Sequence, residues 1–134
     1  MTDWQDKVRV VKAPTLAGAL GGPDGPGRNT VFDFAGTGGV KTWIGRVVLA
    51  PGSGNTRHHH GRHEVALYVV RGHGEVRWGN ALEFGADIGT GDFVYFAPFV
   101  PHQELNRDPG APLEFVVIRS DNEGIVVTLG DPSA

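Results

Sequence analysis

Short apolar runs broken by turn residues give this chain its pattern. Thr42–Ala50 (Thr-Trp-Ile-Gly-Arg-Val-Val-Leu-Ala) reads as a strand that ends in the turn Pro51-Gly52-Ser53-Gly54. Thr56–His60 is a short extended piece. Glu64–Arg71 (Glu-Val-Ala-Leu-Tyr-Val-Val-Arg) is rich in β-branched and aromatic residues, which fit a pleated surface. Gly72-His73-Gly74 turns it into Glu75–Gly79, where polar and apolar residues alternate. Phe93–Ala97, Leu113–Arg119 and Ile125–Leu129 complete the set. Upstream, Val8–Lys12 is a short β-branched strand and Val31–Phe34 a brief alternation before the turn Gly36–Gly39. Between them, Pro14–Thr30 is dense in Gly and Pro and reads as a loop. Turns recur at short intervals and nothing sustains a helical period. The pattern predicts an all-β sandwich or barrel, in which closing the sheet removes exposed edges.

Composition supports one domain of this kind. The chain has 134 residues, 40% of them hydrophobic and 20% charged, enough for a core without covalent staples. The 21 glycines suit many tight turns. Residues 1–40 are expected to supply an N-terminal strand and the Gly/Pro-rich loop, and residues 41–130 the barrel, as parts of one domain. The net charge is -3 and the basic residues are scattered, so there is no stripe for a phosphate backbone and nucleic acid is not an expected partner. Cysteine is absent, which rules out disulfides, thiolate metal sites and cysteine nucleophiles. The first residues are polar and acidic, unlike a signal peptide. No apolar run is long enough to span a bilayer. Membrane association is therefore not expected, and cytoplasmic residence is the default expectation.

The chemistry concentrates in histidine. Of six histidines, four lie between His58 and His63. Such a run is often a solvated surface loop, but this one sits between two strand-like segments. Residues two apart on a strand point the same way. His58 and His60 therefore share a side, and His59 faces away, solvated or in a supporting role. A turn through Gly61-Arg62 brings Glu64 toward the same side. Two imidazoles and a carboxylate suit divalent first-row metals and leave coordination positions open.

A second segment, Gly91-Asp92 through Pro101-His102 to Asn106, completes a pair of motifs. Together with Gly52–Gly72, which carries His58-His59-His60 and Glu64, it resembles the cupin superfamily of small barrels. The resemblance implies an all-β, double-stranded β-helix or jelly-roll barrel in a single domain. It also implies a metal held by His58, His60, Glu64 and His102, and pairing into a homodimer. This sequence departs from the motifs in places. Ala97 stands where a proline is usual, and Phe99 where a glycine is usual. Gly72 arrives one residue late, so that Val65 occupies the usual carboxylate position. Either a β-bulge absorbs the surplus, or the fourth ligand is His63 and not Glu64.

One divalent transition ion (Fe, Mn, Ni, Co, Cu or Zn) is the expected cofactor, since nitrogen and oxygen ligands admit all of these. The function expected is that of a metal-dependent enzyme, of dioxygenase, isomerase or lyase type, acting on a small molecule in the barrel mouth. The competing expectation is a non-catalytic module that binds or senses a small molecule. A metal-free barrel using histidine as a general base is the third, and the crowding of the histidines speaks against it.

Overall fold

The computed structural model describes residues 4–10, 12, 27–32, 42–120 and 126–130. A 3-10 turn, Gln5–Lys7, is followed by the strands β1 (Gly27–Phe32), β2 (Trp43–Leu49), β3 (His58–His59), β4 (Val65–Arg71) and β5 (His73–Trp78). Then come β6 (Phe84–Gly89), β7 (Phe93–Phe96), β8 (His102–Leu105), β9 (Leu113–Arg119) and β10 (Val127–Thr128). They form two five-stranded antiparallel sheets, in the orders β1-β2-β9-β4-β7 and β10-β3-β8-β5-β6.

Several strands fall where the apolar runs placed them, and β9 has the expected bounds. Other segments depart from the reading. Strand β1 begins at Gly27, inside the stretch read as a loop, because the edge of β2 offers it a backbone ladder that does not depend on side-chain propensity. The rest of that loop that falls at residues 14–26, and the turn at 36–39, lie outside the described residues. So do Val11, Asp33, Phe34 and Ile125. The described residues of Val8–Lys12 are exposed and belong to no strand. Strand β6 carries two glycines and an aspartate and gave no sequence signal. It exists by pairing with β5 along its whole length. The turn expected at Gly72–Gly74 narrows to Gly72, since His73 and Gly74 already pair with β6.

The core lies between the sheets. On β2, β4 and β9 the odd-numbered positions point inward. They bring Val47, Leu49, Val65, Leu67, Val69, Leu113, Phe115 and Val117 together with Phe96 of the same sheet and with Val76 and Ile88 from the facing one. Register sorts the interior into two ends. At one end Leu49 pairs with Leu113 and Val69 with Phe115, all essentially without exposure. At the other end Trp43 and Val65 flank Arg119 on either side of β9, and the interior opens.

Two details hold the closed end. The Asn106 side-chain amide is buried and donates to the carbonyls of Leu49, Ala50 and Ala111 at 2.8–3.2 Å. It ties the end of β2 to the loop before β9. At Gly74 a Cβ would lie 2.3 Å from the Leu105 carbonyl oxygen and 2.7 Å from Leu113 Cδ2, so β5 and β8 approach more closely here than any other residue allows.

Two substitutions check this packing by urea denaturation. Leu113→Ala is expected to cost about 2–5 kcal/mol through lost burial and a residual cavity. Gly74→Ala is expected to cost about 1–3 kcal/mol by overpacking, and a neutral result would contradict the close approach.

Candidate metal centre

Three histidines converge at the open end. His58 on β3 pairs directly with His102 on β8, so their side chains stand on the same face of the sheet. His60 follows β3 and returns to that face by alternation. The rings lie 4.3 Å apart for His58 and His102, 4.9 Å for His58 and His60, and 5.3 Å for His60 and His102, centroid to centroid. All three residues are buried, and one nitrogen from each lies within 4.8 Å of the other two.

The ring nitrogens are sorted by local backbone. His58 Nδ1 is 2.6 Å from the Thr56 carbonyl oxygen, and His102 Nδ1 is 3.0 Å from that of Val100. A carbonyl only accepts, so each Nδ1 carries the proton and each Nε2 keeps its lone pair in the neutral ring. This is how metal-binding imidazoles are commonly held. Phe96 stacks on the His102 ring at 3.9 Å and supports it from the apolar side. Among the described residues, the buried Nε2 of His102 has no hydrogen-bond partner. An orphaned buried acceptor beside two more imidazoles fits a cation.

A carboxylate that the sequence reading did not single out lies beside them. Glu104 is buried, and its Oε1 is 3.5 Å from His102 Nε2. Asn55 clamps it from both sides. Asn55 Nδ2 donates to Glu104 Oε2 at 2.5 Å, and Asn55 Oδ1 accepts from the Glu104 backbone N–H at 2.8 Å. A signal for Glu104 was available. It stands two residues after His102, so once His102 heads a strand, alternation puts both on one face.

The remaining candidates lie elsewhere. Glu64 is exposed and outside the cluster. The β4 ladder runs without interruption from Val65 to Val69, and its register shift comes only between Val69 and Arg71. The surplus residue before Gly72 is thus absorbed beyond the site. Val65 keeps the inward position and borders the cavity, while Glu64 falls on the outward parity with Ala66. There its carboxylate lies close enough to the Tyr95 hydroxyl to raise the pKa of that phenol. His63 is buried and its backbone N–H donates to the His60 carbonyl, but it is not part of the three-histidine group. His59 turns outward, where its Nδ1 accepts from the Gly61 N–H and its ring lies 5.8 Å from Phe99.

Phe99, at the place of a customary glycine, adopts φ 64°. The turn before His102 therefore keeps the left-handed backbone that glycine adopts cheaply, at a steric cost for phenylalanine. Its N–H donates to the Gly61 carbonyl at 2.8 Å, which links this turn to the loop after His60.

A cavity of about 300 Å³ opens onto the His58 and His60 imidazoles. Trp43, Val47, Val65, Leu67, Phe115, Val117 and Val126 make its apolar walls. Asn55, His58, His60, Glu104, Arg46 and Arg119 supply its polar side.

Comparison with known proteins places this architecture. The model of the cupin domain family matches residues 45–119. The chain belongs to the cupin family. A solved Klebsiella pneumoniae protein with a double-stranded β-helix domain superposes with a TM-score of 0.75 at 18% identity. The match covers 92% of this cupin and 99% of that chain. A cupin 2 domain-containing protein from Halorhodospira halophila gives a TM-score of 0.65 at 28% identity, covering 72% and 65% of the two chains. An oxalate oxidase gives 0.72 at 22% identity, covering 90% of this cupin and 63% of the enzyme. No curated protein sequence matches significantly. Among the described residues, no helix is long and apolar enough to cross a membrane.

The outward placement of Glu64 has a measurable consequence. Desolvation by its neighbours raises the Tyr95 phenol above its ordinary pKa of 10.0, and the charge and hydrogen bond of Glu64 raise it further. Ultraviolet titration of the phenolate is expected to show Tyr95 ionising above that value. In Glu64→Gln the midpoint should move back down, since the repelling carboxylate is gone. An unchanged midpoint would mean that Glu64 does not face Tyr95.

Proposed function

We propose that this cupin is a metal-dependent enzyme acting on a small organic molecule in the barrel mouth, of dioxygenase, isomerase or lyase type. One observation carries the reading. Three buried imidazoles offer nitrogens within 4.8 Å of one another, and two of them, His58 and His60, line a cavity large enough for a small ligand.

The residues fit one divalent transition ion, iron, manganese, nickel, cobalt, copper or zinc. His58, His60 and His102 would hold it. Glu104 takes the carboxylate role that the sequence pattern assigned to Glu64, because it is the buried acid beside His102 Nε2. When bound, such an ion supplies Lewis acidity toward a ligand oxygen, and redox chemistry as well if it is iron, manganese or copper.

The chain's own residues prepare the site. Thr56 and Val100 orient two rings through their Nδ1 atoms. Asn55 fixes the Glu104 carboxylate, so the acid is aimed before any ligand arrives. The aliphatic and aromatic walls keep bulk water off the imidazoles and strengthen electrostatic interactions inside. Three histidines and one carboxylate leave positions open on an ion that prefers six ligands. That vacancy favours turnover of a bound molecule over a purely structural metal.

Elemental analysis of protein purified anaerobically without added metal tests the reading. About one ion per chain is expected. His102→Ala should abolish stoichiometric metal, and Glu104→Gln should weaken metal affinity by roughly 10–100-fold. Glu64→Gln should leave it unchanged. Absence of stoichiometric metal, together with a His102→Ala variant of unaltered metal content and stability, would overturn the proposal.

A further inference from the structure

Asn55 directs all of its polar groups at two residues of β8. Its backbone N–H donates to the Glu104 carbonyl at 3.1 Å, and its backbone carbonyl accepts from Gln103 Nε2 at 2.8 Å. Its side-chain Oδ1 accepts from the Glu104 N–H at 2.8 Å, and its Nδ2 donates to Glu104 Oε2 at 2.5 Å. Chemistry fixes the orientation of this amide. A backbone N–H needs an acceptor and a carboxylate needs a donor. A flipped amide would set donor against donor and oxygen against oxygen. Asn55 also borders the cavity, together with His58, His60 and Glu104.

The two oxygens of Glu104 are thereby made unequal. Oε2 is held by the amide, while Oε1 lies 3.5 Å from His102 Nε2. Glu104 is only 3% exposed, so bulk water does not serve as an alternative donor. A buried anionic oxygen without a donor is costly. A carboxylate binds a cation through one oxygen or through both. Turning Glu104 to offer both would break the hydrogen bond from Asn55 Nδ2. A second carboxylate oxygen would also close one of the positions that three imidazoles and a single oxygen leave open.

We propose that Asn55 is a positioning residue that makes Glu104 a one-oxygen ligand, and so keeps a coordination position free for the molecule in the cavity. This deepens the metal-centre reading above and rests on it. Asn55 acts through Glu104 and does not itself bind the ion. It holds Oε2 back and leaves Oε1 aimed at the imidazole group. Without the amide, Oε2 loses its donor, and the ion becomes the partner within reach.

Cobalt(II) is the probe, since its visible spectrum responds both to coordination number and to azide bound at an open position. Infrared difference spectra of wild-type protein, metal-free and saturated with cobalt(II), come first. One-oxygen binding widens the separation between the antisymmetric and symmetric carboxylate stretches, and two-oxygen binding narrows it. A widened separation that is lost in Glu104→Gln is expected. A narrowed one would overturn the proposal with no Asn55 variant needed. Asn55→Ala, shown to be folded by circular dichroism, is then titrated with azide at saturating cobalt(II). It should bind azide roughly tenfold or more weakly than wild type, the scale on which partners of a metal ligand act. In a Glu104→Gln background the same change should alter azide affinity by less than about twofold, because the carboxylate it acts through is gone. A merely structural Asn55 would lower stability and leave azide affinity at the wild-type value, or would act equally in both backgrounds. Either result overturns the assignment while leaving the metal centre standing. If wild-type protein takes up no stoichiometric cobalt(II), the metal-centre reading fails first, and this inference fails with it.

Discussion

The pairing of His58 with His102 across β3 and β8 is the contact on which the site depends. Both strands are short, and β3 is only two residues long. Their register nevertheless decides whether two imidazoles share a face or stand on opposite ones. A slip of one residue would turn a whole ligand set outward. The register is held from several directions. The Asn55 N–H donates to the Glu104 carbonyl at 3.1 Å, and the Asn55 side chain grips Glu104 as well. Gly54 bridges to Leu105, where a Cβ would meet the Leu105 side chain at 2.5 Å. The residues that orient the acid are therefore also those that lock the strands.

The fold divides stability from chemistry along the barrel. Leu49, Val69, Leu113 and Phe115 fill one end, with the Asn106 amide and Gly74 fixing the strand ends around them. The other end gives up close packing for a cavity and gathers polar groups there. A buried polar group is costly unless it has a partner. The carbonyls of Thr56 and Val100 and the amide of Asn55 meet this requirement for His58, His102 and Glu104 in turn. Phe99 shows the local cost of the arrangement. Its left-handed backbone supports the turn that delivers His102, and the hydrogen bond to Gly61 ties that turn to the histidine loop.

The assignment of the carboxylate shows how far a linear pattern reaches. Glu64 follows the histidines at a plausible distance, and Val65 stands at the place counted back from Gly72. Both observations were legible, and they conflicted. The conflict turns on where one extra residue is absorbed. Strand β4 keeps its register through the site and shifts only past Val69, so the valine stays inside and Glu64 meets Tyr95 on the outer face. Glu104 was overlooked for a related reason. No strand was read between Phe93–Ala97 and Leu113–Arg119, and without strand alternation there was no ground to group Glu104 with His102.

The sequence by itself determined the class of fold and named the three histidines, His58, His60 and His102, that the structure brings together. Closely spaced turns between β-branched runs leave a sheet-built barrel as the way to bury the apolar positions. The two-residue spacing of His58 and His60 puts them on one side whatever surrounds them, because alternation within a strand is local geometry. Only the tertiary structure decided which acid joins them, that β1 and β6 exist, and that Arg119 stands on the wall facing the imidazoles. Those outcomes depend on register between strands far apart in the chain. Alternation fixes which side chains share a face, but pairing alone determines which face lies inside.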